Sequence, residues 1–326
     1  MDKRERLSAA LSGAAPDRAP VALWRHFPVD DQRPGDLAAA TLEWQALYDW
    51  DFVKVTPASA FMLRDWGAED EWRGEPEGTR QYTRRVIQRP EDWLTLRPLD
   101  PQAGALGAQL EALRLIRAGL DPHTPVLQTV FSPLSQARNL VGPEHLPTHL
   151  RLYPDAVRAG LATITESTRR FVIAARAAGV DGVFYAVQFA SARHLAVSEY
   201  EAFGEPPDRQ ILAAADGLGL NLVHLHGEDV FFDLVARYPA QVINWHDQET
   251  PPSLAEGQRR FPGAVCGGLR QWQTMVRGTP DQVLAEARAA LAQTGGRRFI
   301  LGTGCVTPTT APRANLRAAR TSVEAA

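Results

Sequence analysis

Two histidines stand one residue apart in the stretch LVHLHGEDV, residues 222–230. Alternate residues of a β-strand point to the same face, so His224 and His226 would present two imidazoles side by side. Neutral imidazole and thiolate are the usual ligands of zinc, and three protein ligands with an open fourth position are typical of a catalytic zinc site. Cys305 could supply the third ligand, and Glu228 or a substrate atom could approach the fourth position.

A structural role for the same residues is the alternative interpretation. A His-x-His pair with no third ligand nearby in sequence is a weak metal-binding motif. One histidine could instead be a hydrogen-bonded core residue and the other a substrate contact, with Cys305 a small buried apolar side chain. The spacing alone leaves both interpretations open.

Acidic residues follow a second apolar run, QVINW, at residues 241–245. Asp247 and Glu249 could act as a general acid and base, and His246 stands directly before them. Acids just past a strand also cap the next helix, so a structural role is equally open.

Residues that follow two other apolar runs could contact a substrate. Arg25 follows VALW and could bind a carboxylate through two parallel hydrogen bonds, or it could form a salt bridge at the same place. His26 and Gln188 also follow predicted strands and are further candidates for substrate contact.

Eight apolar runs alternate with helical stretches and would position these residues. They cover residues 19–24, 50–57, 124–131, 180–187, 220–227, 241–245, 263–269 and 297–304. This alternation predicts parallel β/α units, and eight of them predict a closed (β/α)₈ (TIM) barrel in a single domain, residues 1–326. We interpret residues 62–100 as short antiparallel hairpins inserted after strand two. All the candidate residues then lie at the carboxyl ends of strands, where this fold carries its chemistry.

An open doubly wound sheet is the alternative fold, but no GxGxxG turn follows the first run, so a dinucleotide site is not indicated. The 326 residues are 44% hydrophobic and 22% charged, with a formal net charge of -3. This charge does not favour binding to nucleic acid. No apolar run is long enough to cross a membrane and the start of the chain lacks the pattern of a signal peptide, so we expect a cytoplasmic protein.

Nearly the whole chain resembles a known family, and the last third carries the specific part of the resemblance. LGTGCVTPTTAPRANLRAAR, residues 301–320, resembles the closing segment of the uroporphyrinogen decarboxylase superfamily. AGVDGVFYAV, LVHLHGED, QVINWHDQ and GAVCGGL resemble its fourth to seventh strands, and PVALWRHFP its first. The resemblance implies a (β/α)₈ barrel. It also implies one of two activities: cofactor-free decarboxylation of uroporphyrinogen, or zinc-dependent methyl transfer between corrinoid proteins or methylated compounds and a thiol such as coenzyme M.

The decarboxylase pattern is poorly matched. That branch has two arginines flanking Gln-Ala-Gly after strand one and an aspartate after strand two. Here WRHFPVDDQR keeps Arg25 but has His26 and Phe27 in place of glutamine and alanine, and KVTPAS contains no aspartate. A tetrapyrrole with many carboxylates needs several fixed cations and an acceptor for its pyrrole hydrogens, so these differences count against decarboxylation.

The methyltransferase pattern is matched more closely. That branch binds zinc through His-x-Cys at the end of strand five and a cysteine after strand eight. His224 and Cys305 match two of these ligands, and His226 replaces the first cysteine with a side chain that can bind the same ion. The resemblance therefore implies a zinc site, or a site for another divalent metal, formed by these three residues.

We therefore predict metal-dependent methyl transfer to a thiol. The predicted catalytic residues are Glu228, His246 and Asp247, and the predicted substrate contacts are Arg25, His26, Gln188 and Glu249. The resemblance suggests a corrinoid protein as a partner and a homodimer as the assembly. Uroporphyrinogen decarboxylation and a barrel that binds without catalysis are the alternatives.

Overall fold

A curled parallel sheet of seven strands forms the centre of the computed structural model, which describes residues 1–324. The strands in chain order are β1 Val53–Val55, β2 Glu69–Glu71, β3 Gln81–Arg84, β4 Val126–Phe131, β5 Gly182–Val187, β6 Leu222–Leu225, β7 Val242–Trp245, β8 Ala264–Leu269 and β9 Phe299–Thr303. The large sheet has the order β1-β4-β5-β6-β7-β8-β9, with each neighbouring pair parallel. Every residue of its strands is buried, as expected for a parallel sheet covered on both faces.

Helices connect the strands and cover the sheet. They are α1 Lys3–Ser12, α2 Pro34–Tyr48, α3 Gly104–Gly119, α4 Pro133–Val141, α5 Leu146–Leu152, α6 Pro154–Ala177, α7 Val197–Phe203, α8 Glu205–Ala214, α9 Phe232–Val235, α10 Leu254–Arg260, α11 Pro280–Thr294 and α12 Arg313–Thr321. Short 3-10 helices span Asp30–Gln32, Arg64–Trp66 and Pro90–Thr95. None of the helices in residues 1–324 combines the length and the apolar character needed to cross a membrane.

The first predicted strand, residues 19–24, forms a single bridge and not a full strand. Val21 pairs with Leu301 of β9, through hydrogen bonds from the Leu301 N–H to the Pro20 carbonyl (2.8 Å) and from the Ala22 N–H to the Leu301 carbonyl (3.0 Å). On the other side the Val21 N–H donates to the Asp51 carboxylate at 2.8 Å. The Asp51 carboxylate therefore takes the place of a strand carbonyl as the acceptor for this N–H.

The curled sheet is consistent with the predicted TIM-like barrel. Residues 19–24 lie between β9 and the residues that precede β1, because the Val21 carbonyl also accepts a hydrogen bond from the Asp51 N–H. Closure into an eight-stranded barrel stays a prediction. Residues 62–100 contain the antiparallel pair β2 and β3, and the interpretation of this segment as an insertion also stays a prediction.

A buried carboxylate anchors the N-terminal segment. Asp51 is fully buried and accepts hydrogen bonds from Arg6 Nη1 at 2.8 Å and Arg18 Nη1 at 2.7 Å, besides the one from Val21. Charged hydrogen bonds of this kind are stronger than neutral ones. They fix the segment that leads to Trp24, whose ring packs edge-on against Phe184 of β5 at 5.2 Å between centroids.

Candidate metal centre

Three imidazoles and one thiol meet at the carboxyl ends of three strands. His224 lies in β6, His226 follows that strand, His246 follows β7 and Cys305 follows β9. One ligand atom from each of the four lies within 4.8 Å of the others. Cys305 Sγ is 3.8 Å from His224 Nε2 and 3.6 Å from His226 Nδ1. The structure thus brings the three predicted metal ligands together and adds His246, which was predicted as a catalytic residue.

Close backbone approach lets Cys305 reach this cluster. A Cβ atom on Gly304 would lie 2.7 Å from His246 Cα and 3.0 Å from the Trp245 carbonyl oxygen. Real side chains do not tolerate such a contact with backbone, so the residue before Cys305 must be glycine for β9 to end this close to β7.

An asparagine on the neighbouring strand fixes the protonation of His224. Asn244 pairs with His224 in register, and its Oδ1 lies 2.6 Å from His224 Nδ1. Its amide nitrogen donates to the carbonyls of Cys266 (2.9 Å) and Thr303 (3.1 Å), so the oxygen must face the imidazole. The hydrogen therefore sits on Nδ1, and Nε2 presents a free lone pair towards Cys305. Sequence reasoning missed Asn244, whose signal is a polar residue within the apolar run QVINW.

Burial keeps the imidazoles neutral and the thiol protonated. It lowers the pKa of His224 well below its usual value, the pKa of His226 to about 3 and the pKa of His246 to about 4. It raises the pKa of the Cys305 thiol to about 12. Neutral histidines are ready to bind a cation, whereas Cys305 must lose its proton when it becomes a ligand.

The donor set fits a metal ion that prefers nitrogen and sulfur. His246 Nε2 is buried and has no hydrogen-bond partner within the described residues. Leaving such a nitrogen unpaired costs on the order of 1–3 kcal/mol, which coordination would remove. Imidazoles with one thiolate suit zinc and related divalent ions. The cluster could therefore bind a metal.

A small cavity of about 70 Å³ adjoins the cluster. Two of the predicted substrate contacts, His26 and Gln188, line it. Its other lining residues are Trp24, Lys54, Thr56, Pro57, Ser59, Glu77, Thr79, Thr129, Phe131, Phe184, Ala186, His224, His226, Cys305 and Val306. Aromatic and aliphatic side chains thus share this wall with polar and ionisable ones.

Lys54 is a charged residue in this wall that sequence reasoning did not select. It lies on β1, its Nζ donates to Thr56 Oγ1 at 3.2 Å, and burial lowers its pKa to about 7. The signal in the sequence was present: Lys54 is one of two lysines in the chain and interrupts the apolar run WDFVKVTP.

Glu77 brings a second ionisable group to the cavity. Its Oε1 accepts hydrogen bonds from Gln271 Nε2 at 3.0 Å and Trp272 Nε1 at 2.9 Å. Burial raises the pKa of this carboxyl.

The predicted acids lie around the cluster and outside the cavity wall. Asp247 is buried, accepts hydrogen bonds from the Gly268 N–H (3.1 Å) and from Gln248 Nε2 (2.6 Å), and has its pKa raised to about 7 by burial. Glu249 is exposed, and partial desolvation of its carboxyl raises its pKa. Glu228 is exposed and pairs with Arg193.

Arg25 faces a different pocket from its neighbour His26. Its guanidinium lies over the ring of Trp44, 4.8 Å from the centroid, in a hollow of about 240 Å³ that Asp30 and Glu43 also line. The structure thus separates Arg25 from the His/Cys cluster, while His26 lines the cavity beside it.

A family model described as uroporphyrinogen decarboxylase (URO-D) matches residues 2–326. The chain belongs to the uroporphyrinogen decarboxylase family. Among curated proteins, uroporphyrinogen decarboxylase of Sorangium cellulosum is 29% identical over 224 residues, which is 66% of this chain and 62% of that relative. The predicted family membership is confirmed, and it supports the prediction of an enzyme.

Two solved structures share the fold of this family member. A methyltransferase from Methanosarcina mazei superposes with a TM-score of 0.88 at 18% identity and covers 100% of this chain and 99% of its own. A B12-independent methionine synthase from Shewanella sp. W3-18-1 gives 0.61 at 16% identity, over 94% and 93% of the two chains. At these identities the likeness establishes the fold alone.

Proposed function

We propose that this member of the family is a metal-dependent methyltransferase that methylates a thiol beside the His/Cys cluster. The observation that carries the proposal is the meeting of three imidazoles and one thiol within 4.8 Å at the strand ends. A purely structural role would not explain why four side chains that can bind a metal lie at one point. It would also not explain why one imidazole nitrogen there is left without a hydrogen-bond partner.

The metal ligands would be His224 through Nε2, His226 through Nδ1 and Cys305 through Sγ, and His246 would be a fourth ligand whose place the substrate thiol takes. A bound zinc or similar ion would act as a Lewis acid that lowers the pKa of a substrate thiol and favours its thiolate. Asn244 holds the proton on His224 Nδ1, which keeps the other ring nitrogen available.

Other residues would move protons and exclude water. Asp247 stands beside His246, and a carboxyl with a pKa of about 7 can accept or release a proton near neutral pH. Glu249 and Glu228 lie further out, where they could contact the methyl donor. The rings of Trp24 and Phe184 line the cavity and would keep water from the reacting thiolate. A corrinoid protein as donor and a homodimer as assembly follow from the family resemblance alone and belong to the same proposal.

The cavity favours methyl transfer over uroporphyrinogen decarboxylation. The cavity has a volume of about 70 Å³, whereas pockets that bind drug-sized ligands typically have roughly 300–1,000 Å³. No arginine of the described chain lines it, whereas a tetrapyrrole with many carboxylates would require several cations. Lys54 is the lysine in its wall.

Metal analysis of protein purified without chelator tests the proposal. We expect about one equivalent of zinc or another divalent ion in the wild type and a loss of most of it in Cys305→Ser and His226→Ala. His123→Ala, which removes an exposed histidine, is the matched control and should keep the metal.

Methyl transfer and decarboxylation are then assayed on the same preparations. A methylated product of a small thiol, formed by the wild type and lost with the metal, supports the proposal. Metal-free wild type that converts uroporphyrinogen to coproporphyrinogen would refute it, and so would equal metal content in the wild type and Cys305→Ser.

A further inference from the structure

A loop outside the large sheet covers the cavity beside the His/Cys cluster. It spans residues 72–80 between β2 and β3, and we call it the strap. Glu77 and Thr79 of the strap line the cavity. His224 and Cys305 are only 3% and 8% exposed, and a cavity of about 70 Å³ holds only a few non-hydrogen atoms. A substrate can therefore enter only if part of the wall moves.

Two loops of the barrel hold the strap in place. The Pro76 carbonyl accepts hydrogen bonds from the Thr309 N–H at 2.7 Å and from Thr309 Oγ1 at 2.9 Å. The Glu77 carboxylate accepts hydrogen bonds from Gln271 Nε2 at 3.0 Å and from Trp272 Nε1 at 2.9 Å. Thr309 follows β9, and the other two donors follow β8. Four hydrogen bonds thus join the tip of the strap to the edge of the sheet that carries the cluster.

The strap has the features of a segment that opens locally. β2 and β3 form a two-stranded sheet apart from the seven-stranded one, and such a hairpin is marginally stable by itself. Residues 72–75 are exposed. The apolar side chains of the strap are those of Trp72 and Pro76, so it buries little apolar surface. Segments with few buried apolar contacts open at a low cost in free energy.

Two glycines let the tip of the strap turn as a unit. The Gly78 N–H donates to the Glu75 carbonyl at 2.8 Å, which makes residues 75–78 a tight turn. Gly74 and Gly78 have φ of +84° and +79°, in the region that favours glycine. A Cβ on Gly74 would meet nothing within 4 Å, so that end has room to rotate. A Cβ on Gly78 would lie 2.4 Å from His26 Cβ, so the closed turn rests directly on the cavity wall.

The Glu77 side chain holds the closed position with opposing contributions. Desolvation of its carboxyl raises its pKa and disfavours closure. The hydrogen bonds from Gln271 and Trp272 favour closure. Because these contributions oppose each other, the closed position depends on keeping an acceptor at residue 77.

We propose that the strap is a lid that opens about Gly74 to admit ligands to the cavity, and that Glu77 latches it to the loop after β8. The closed lid would separate the cluster from bulk water, which strengthens electrostatic interactions inside the cavity. This inference concerns access to the cavity and does not rest on the proposed methyl transfer.

Amide hydrogen exchange, followed by NMR on metal-free protein, measures the opening. The Thr309 N–H is bonded to the strap, whereas the Thr307 N–H is bonded to the Trp24 carbonyl at 2.8 Å and is the reference on the same segment. In Glu77→Ala we expect the Thr309 amide to exchange about tenfold faster or more, the effect of losing hydrogen bonds to a charged acceptor, with Thr307 unchanged. Glu75→Ala, which removes an exposed acid of the same turn, should behave as the wild type.

Alkylation of Cys305 by iodoacetamide measures the access of a small molecule. Besides burial, the Glu77 charge raises the pKa of the Cys305 thiol, so both Glu77→Ala and Glu77→Gln favour the thiolate. Only glutamine keeps an acceptor for Gln271 and Trp272. Cys305 should therefore react about fivefold faster or more in Glu77→Ala than in Glu77→Gln. Cys266 is fully buried in β8 and reports unfolding, so it should stay unmodified in both.

Each result decides for or against the lid. Unchanged exchange at Thr309 in Glu77→Ala overturns it, and so does an equal acceleration at Thr309 and Thr307, which would indicate general unfolding. Equal alkylation of Cys305 in the two Glu77 variants, or alkylation of Cys266 in step with Cys305, overturns it as well. If the expected results are found in a protein that transfers no methyl group, the lid stands and the proposed function alone fails.

Discussion

At the scale of single residues, the cluster combines side chains that could bind a metal with neighbouring groups that orient them. His224 can offer Nε2 because its Nδ1–H donates a hydrogen bond to Asn244 Oδ1. That oxygen faces the ring because the Asn244 amide nitrogen already donates to two backbone carbonyls. The chain of contacts runs from the backbone of β8 and β9 to a ring nitrogen on β6. If the Asn244 amide were turned so that its nitrogen faced the imidazole, the hydrogen of His224 would sit on Nε2.

Truncation of Asn244 should therefore weaken metal binding without touching a ligand. For Asn244→Ala we expect a loss of metal affinity of about 10- to 100-fold, the usual effect of removing an orienting partner. Competition with a chelating dye measures it. Asn315→Ala is the matched control, since Asn315 also donates to backbone carbonyls in a buried place but lies in α12, away from the cluster.

Stability losses in these two variants should be comparable, each reflecting lost hydrogen bonds of about 1 kcal/mol. Equal loss of metal in Asn244→Ala and Asn315→Ala would show that metal depends on general stability, and the role given to Asn244 would then be wrong.

At the level of elements, parallel strands bring the site together. β6, β7 and β9 all run in one direction, so the residues that follow them emerge at the same edge of the sheet. β9 is two strands away from β7 in the sheet order, and the curl of the sheet together with Gly304 brings Cys305 to His246.

Gly304→Ala tests this dependence on backbone approach. The added methyl would stand 2.7 Å from His246 Cα, so β9 or β7 must move. We expect a loss of about 1–3 kcal/mol in the free energy of unfolding and a weaker cysteine-to-cobalt charge-transfer band in the cobalt-loaded protein. Gly35→Ala in α2, where a Cβ meets nothing within 4 Å, should leave the band unchanged and the stability equal or slightly higher. An unaltered band in Gly304→Ala would contradict the argument.

At the scale of the whole molecule, the buried ionisable groups of the candidate site make the free energy of unfolding depend on pH. Burial lowers the pKa of His26 and of His226 to about 3 and that of His246 to about 4. In the unfolded chain these three histidines take up protons near pH 6.5, whereas in the folded chain they stay neutral to much lower pH. Between these values the unfolded state binds more protons, so the free energy of unfolding falls as the pH drops.

His26 isolates one part of this effect because it is not a proposed metal ligand. In metal-free protein, wild type should lose about 2 kcal/mol more than His26→Gln between pH 6.5 and about pH 5, since each pH unit corresponds to about 1.4 kcal/mol. Urea unfolding at each pH measures it, and His123→Gln should follow the wild type.

Asp208 works in the opposite direction, because burial raises its pKa to about 6 and its protonation favours the folded state. Asp208 is present in both the wild type and His26→Gln, so its contribution cancels when their pH profiles are compared. Parallel pH profiles of wild type and His26→Gln would contradict the prediction.

Sequence alone determined what depends on local spacing. The alternation of apolar runs and helices indicated parallel β/α units, and the i, i+2 spacing placed His224 and His226 on one face of a strand. The resemblance of residues 301–320 identified the family and pointed to Cys305. These inferences required only periodicity along one element or a contiguous motif.

Tertiary structure decided what depends on distances between elements. It brought His246 into the cluster, set Asn244 against His224, exposed Lys54 to the cavity and directed Arg25 to another pocket. It also replaced the first predicted strand by a bridge that the Asp51 side chain completes. Register, curl and glycine contacts between strands fix these distances, and they arise from packing among residues far apart in the chain, which local spacing does not encode.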